Sequence, residues 1–99
     1  MTEVDLEVVI VSYNSEFWLK KTLTSLKQFY LKKTKLNVSV SVVDNNSEDS
    51  SVELVRKDFS WVTLTELHKN MGFAAANNVA LEKSKAKYVN EAQGVGSPL

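Results

Sequence analysis

The sequence contains no cysteine and one histidine, His68, among 99 residues. Disulfides, thiolate nucleophiles and sulfur-ligated zinc are excluded, and one imidazole cannot build a His-rich metal site, so a bound metal would need oxygen ligands. Net charge is also missing, because 12 Lys and Arg balance 12 Asp and Glu. No global field draws the chain to nucleic acid, and recognition has to come from a local site. No apolar run approaches the roughly 20 residues of a membrane helix. The first residues, Met1-Thr2-Glu3-Val4-Asp5-Leu6-Glu7, are acidic where a signal peptide is basic and then apolar. These absences predict a cytoplasmic protein with no membrane segment and no nucleic-acid partner.

What is present is an ordinary globular composition, 43% hydrophobic and 24% charged, without internal repeats or low-complexity tracts. A chain of this length makes one domain with a small core. Glu7 to Tyr13 is a near-continuous β-branched run, as expected of a strand covered on both faces. Leu19, Leu23, Leu26 and Tyr30 then recur at spacings of four, three and four, one stripe of an amphipathic helix that Asn14 or Ser15 can cap. Lys20, Lys21, Lys32, Lys33 and Lys35 read as its solvated face, with a weak contact to acidic lipid as the other reading. Asn37 to Asp44 alternates valine with serine, a second strand with one drier face. Ser50 and Glu53 match a capping box for a short helix burying Val52, Val55 and Phe59. Trp61 to Leu67 alternates as a third strand, Phe73 to about Lys85 is an Ala-rich helix, and Tyr88-Val89 begins a fourth strand. Residues 90–99, with Gly94, Gly96 and Pro98, read as a disordered tail behind a domain of residues 1–89.

The resulting order is β-α-β-α-β-α-β, for which a Rossmann-like three-layer α/β sandwich with a mainly parallel sheet is the economical topology. Many functions share it, and local chemistry removes several. No G-x-G-x-x-G follows the first strand, no G-x-x-x-x-G-K-[ST] occurs, and the first loop, Ser12-Tyr13-Asn14-Ser15, has no glycine. Dinucleotide oxidoreductases, P-loop NTPases and sugar-phosphate nucleotidyltransferases lose ground accordingly. A receiver domain would want paired acids after its first strand, and none stand there.

Three segments lie where open α/β sheets place ligands, at strand ends and a helix start. They are Val9-Ile10-Val11-Ser12-Tyr13-Asn14, Val42-Val43-Asp44-Asn45-Asn46-Ser47-Glu48-Asp49-Ser50-Ser51 and Asn70-Met71-Gly72-Phe73-Ala74-Ala75-Ala76-Asn77-Asn78. In this order they resemble the N-terminal nucleotide-binding half of family 2 glycosyltransferases of the GT-A fold, especially the rhamnosyltransferase-like branch. The resemblance covers about residues 6 to 89 and implies a truncated GT-A half that binds a UDP- or dTDP-sugar. The family reaction moves the sugar to a carbohydrate or lipid-linked acceptor, as in cell-surface polysaccharide biosynthesis.

The resemblance also implies roles. Tyr13 would stack on the base with Ser12 beside it, and Asp44 would accept the N3–H of uracil or thymine, a donor that cytosine lacks. Asn45 and Asp49 would hold or orient the loop, Gly72 would let the chain approach the nucleotide, and Asn78 or its neighbour Asn77 would turn an amide toward it. Each has a plainer reading: a strand-end aromatic for Tyr13, turn residues for Asp44 and Asn45, a permissive φ for Gly72. Trp18 and Trp61 read as packing residues, and His68 as a surface loop residue.

The sequence departs from the family where its fourth strand normally leads into a D-x-D motif, because Asn90-Glu91-Ala92-Gln93 offers one carboxylate. A divalent ion, Mg or Mn, is therefore expected only in a full-length enzyme, with no cofactor, metal ligand or catalytic residue in this chain. The acceptor half with its general base is also missing, so the chain alone is expected to be inactive. A non-catalytic interaction or regulatory remnant of the fold is the alternative. With the family strand order of third, second, first, fourth, a short fourth strand would leave the first near an open edge and favour self-association or a mobile fourth strand.

Overall fold

A computed structural model describes residues 5–33, 37–84 and 88–93, with side chains over 5–28 and 37–84. The chain alternates β1 (Leu6–Ser12), α1 (Glu16–Lys33), β2 (Val38–Asp44), α2 (Ser51–Asp58), β3 (Thr63–Glu66), α3 (Phe73–Lys83) and β4 (Tyr88–Gln93). The strands form one parallel sheet in the order β3-β2-β1-β4. The expected layered α/β architecture is present.

Strand periodicity divides the core between the two faces of the sheet. On one face, Val8 and Ile10 of β1 and Val40 and Val42 of β2 pack with Leu19, Leu23 and Leu26 of α1 and with Val55 and Phe59. On the other, Val9, Val11 and Val43 meet Ala76 and Ala80 of α3. The two alanines let α3 sit low on the sheet, and the β-branched run of β1 is explained because both its faces are dry. The hydroxyls of Ser39 and Ser41, on the α3 face, donate to the Glu7 carboxylate (3.2 Å each), which accounts for serines in a strand that is otherwise valine.

Sheet order reverses between β1 and β4. In open α/β sheets the crevice at such a reversal, outside the C-terminal strand ends, is where ligands bind. The C-terminal ends of β1 and β2 coincide, because Ser12 and Asp44 are register partners.

Four expectations need correction. β1 is not at an open edge, because β4 pairs with it from Leu6↔Tyr88 to Val11↔Gln93; among the described strands the edges are β3 and β4. Residues 90–93, expected in a tail, continue β4 because β1 supplies a ladder that local composition does not reveal. The rest of that tail, residues 94–99, lies outside the described residues. Trp61 is not in β3: it stands in the turn after α2, its ring edge-on to Phe59 at 6.4 Å and 75°, while Val62 N–H donates to the Phe59 carbonyl (3.0 Å). The aromatic pair anchors the turn, and the alternating pattern that continues through it is coincidental. α3 ends at Lys83, where Ser84 turns extended.

Candidate functional site

Three loops meet at the C-terminal edge of the sheet, and side chains rather than backbone ladders join them. The loops after β1 and β2 are stitched by four bonds. Asn14 N–H donates to Ser47 Oγ (2.9 Å) and Glu48 N–H to Asn14 Oδ1 (2.7 Å). Glu16 N–H donates to Asp49 Oδ2 (3.2 Å) and Ser50 N–H to Glu16 Oε1 (3.0 Å). Asn14 and Asn46 adopt positive φ, 49° and 69°, a conformation asparagine tolerates better than most residues.

Helix capping follows from this stitching and differs from expectation. The Ser15 hydroxyl donates backward to the Tyr13 carbonyl (2.8 Å), so the first turn of α1 is served by Asp49 from the neighbouring loop. Ser50 makes no side-chain cap bond to α2, so the expected capping box does not form. Asp49 Oδ1 accepts instead from Ser51 N–H (3.0 Å) and Ser51 Oγ (2.6 Å). One carboxylate thus orders the starts of both helices.

The third loop, between β3 and α3, is held by Asn45. Its amide is completely buried; Nδ2 donates to Asn70 Oδ1 (2.9 Å) and Oδ1 accepts from Met71 N–H (2.8 Å). Asn70 Oδ1 also accepts from Gly72 N–H (2.9 Å), and Asn45 N–H donates to the Ser12 carbonyl (2.8 Å). Both ends of the Asn45 amide are used in fixing the entry to α3. Gly72 stands there at φ 82°, ψ 164°, with nothing within 4 Å of where a Cβ would lie. The first intrahelical bond runs from Ala76 N–H to the Gly72 carbonyl (3.1 Å), so the N–H groups of residues 73–75 precede the helical ladder.

Within this frame the two strand-end side chains stand out. Asp44 is 3% exposed; Oδ2 accepts from Ser47 N–H (2.9 Å), and Oδ1 is buried with no partner. Ser12 is fully buried and its Oγ also has none. A buried acceptor left without a donor costs about 1–3 kcal/mol, and here two stand on paired residues at the ligand-binding edge. Tyr13 follows them, half-buried. Among the described residues no group of three His, Asp or Glu side chains converges to hold a metal ion.

Residues 7–90 match the family model for glycosyl transferase family 2. The chain belongs to this family. An uncharacterised glycosyltransferase of Haemophilus influenzae is 32% identical over 89 residues, which are 85% of this chain and 33% of the relative. The glycosyltransferase chain therefore spans about a third of the length of the curated relative it matches. TarS of S. aureus, in a fragment solved in complex with UDP-GlcNAc, superposes with TM-score 0.77 at 29% identity, covering 92% of this chain and 26% of that one. The mannosyltransferase PcManGT of Pyrobaculum calidifontis, solved with GDP-Man and Mn2+, shares the fold: TM-score 0.77, 24% identity, 95% of this chain and 28% of that one.

In this glycosyltransferase chain the sheet edge brings together Ser12, Tyr13, Asp44, Asn45 and Gly72. Asn78 stands apart, on the exposed side of α3. Its neighbour Asn77 is the member of the pair turned inward, 3% exposed with Oδ1 unpartnered. Helical phase separates the two, because Asn77 shares the sheet-facing side with Ala76 and Ala80. Asn70 is a site residue that sequence reasoning did not single out; its position beside a positive-φ glycine is the signal that could have marked it.

Proposed function

We propose that this chain binds the nucleotide of a UDP- or dTDP-sugar at the C-terminal ends of β1 and β2 and, by itself, does not transfer the sugar. The observation that carries the reading is the unpartnered Oδ1 of buried Asp44. Uracil and thymine present one donor on the Watson–Crick edge, N3–H, and a carboxylate oxygen held out of water complements it, whereas cytosine presents an acceptor at the same place. The Ser12 hydroxyl beside it is free to bond a base carbonyl. Tyr13 supplies a ring face for stacking, and Asn45 fixes the frame on which base and diphosphate are positioned.

At the other end of the ligand, Gly72 leaves open space above the backbone, and the first-turn N–H groups of α3 favour the diphosphate anion. The complexes of TarS with UDP and with UDP-GlcNAc support a uridine nucleotide as the donor class. The motifs resemble the rhamnosyltransferase-like branch of the family, and a carbohydrate or lipid-linked acceptor completes the reaction in the cytoplasm, in cell-surface polysaccharide synthesis. Transfer needs a base to take the acceptor proton and a charge to balance the diphosphate leaving group. The residues described here supply positioning for the donor alone. Self-association would use an outer strand edge of the sheet, β3 or β4.

Titration of labelled protein with UDP, dTDP and CDP, followed by NMR, tests the reading. Shifts at Tyr13, Asp44 and Gly72 with UDP and dTDP, and weaker ones with CDP, are expected. Silence at all three residues with every nucleotide would sink it and leave a fold that has lost its ligand.

A further inference from the structure

The two faces of α1 have different partners. Leu19, Leu23 and Leu26 are buried in the core, whereas Phe17 on the opposite side is 73% exposed. Lys20 and Lys21 are exposed beside it and Lys27 is exposed further along the helix, with Lys21 Nζ 5.6 Å from the centre of the Phe17 ring. Phe17, Lys20, Lys21, Thr24 and Ser25 line an open depression on this face. The charge is one-sided. α1 carries five lysines and one acid, Glu16, and Glu16 is taken up by Ser50 N–H. Because the whole chain has 12 residues of each sign, the rest of the chain is net acidic and this helix is net positive.

We propose that the outer face of α1 docks on the surface of a bilayer containing anionic phospholipids. Charge complementarity identifies the partner as anionic. The helix is about 27 Å long, and its outer face is a lysine-bearing surface with a bulky apolar side chain at one end. Lysine stems lie along an interface while their ammonium groups reach the headgroups, and a phenylalanine enters the headgroup boundary. The long apolar stripe of an interfacial helix is absent, since that stripe is spent on the core. Attachment is accordingly reversible and electrostatic, with one apolar anchor. Phe17 stands in the first turn of α1, at the end of the helix that follows the C-terminal end of β1, so docking turns this end of the molecule toward the membrane surface. The inference goes beyond nucleotide binding and does not depend on it.

Sedimentation with vesicles of phosphatidylcholine, alone or with a third of phosphatidylglycerol, tests the proposal on the whole chain. Binding is expected to the mixed vesicles only, weakening from about 0.1 M to about 1 M salt as the Debye length shrinks. Lys20→Ala with Lys21→Ala should lower partitioning about 25-fold, the product of about fivefold per lysine. Should that variant fail to fold by circular dichroism, Lys27→Ala alone should lower it about fivefold. Phe17→Ser should weaken it several-fold at unchanged charge. The control pair Lys57→Ala and Lys69→Ala, the same charge loss elsewhere, should stay within about twofold. Equal binding to both vesicle types, or an equal loss in the control pair, overturns the proposal. So does binding that is indifferent to Phe17→Ser and matched by soluble heparin, which would assign the surface to a polyanion.

Discussion

Ser12 and Asp44 are register partners at the ends of β1 and β2, and each holds one oxygen out of solvent without a hydrogen-bond partner. Core valines surround them along both strands, so neither polar group is there for packing. Folding leaves both oxygens unsatisfied, and a ligand with donors at this edge would satisfy them.

Asp44 variants should separate base reading from turn formation. Asp44→Ala is expected to weaken UDP binding by about 1–3 kcal/mol while hardly changing CDP. Asp44→Asn retains an oxygen for Ser47 N–H and offers an amide to the base, so it should narrow or reverse the preference for UDP over CDP. Calorimetric titration of both nucleotides measures this. Equal losses for UDP and CDP would show that Asp44 only shapes the turn.

Asn45 is expected to act on the loop before α3 and not on the base. Asn45→Ala removes the bonds to Asn70 and to Met71 N–H from a buried position and should cost about 1–3 kcal/mol of folding stability. Amide exchange at Met71 and Gly72 should accelerate beyond that of the β1 ladder. Unchanged exchange at these two amides in the variant would mean that the loop is held by something else.

Much of this arrangement was legible in the sequence, for identifiable reasons. Strong periodicity made β1, α1 and β2 readable, and the polar breaks at Ser12 and Asp44 marked the ligand edge. What escaped reading depended on packing and hydrogen-bond partners that the residue pattern does not reveal. β4 extends through Gln93 because β1 pairs with it, and Trp61 leaves the strand because Phe59 packs against it. Ser50 fails as a cap because Asp49, placed by its bond to Glu16, reaches Ser51 first. The choice between Asn77 and Asn78 needed the rotation of α3, which an Ala-rich helix does not announce.

The two cap candidates give a direct comparison. Asp49→Ala removes acceptors from Ser51 and Glu16 and should destabilise by about 1 kcal/mol, the usual loss of a helix cap. Ser50→Ala removes a side chain that makes no cap bond, and its effect should stay within about 0.5 kcal/mol. Urea unfolding of both variants ranks them. The opposite order would reinstate the capping box between Ser50 and Glu53.

Gly72 can be tested for backbone permissiveness and for ligand approach in one variant. At φ 82° and ψ 164° a side chain is strained, and Gly72→Ala should cost about 1–3 kcal/mol in folding. No protein atom lies within 4 Å of the added Cβ, so that cost is torsional and carries no clash. Under conditions where the variant remains folded, torsional strain in the free protein does not by itself block a ligand. A fall in UDP affinity measured there reports the methyl group standing where the nucleotide comes close to the chain. Affinity kept within about twofold, less than 0.5 kcal/mol, would leave Gly72 with the backbone role alone and move the diphosphate away from the start of α3.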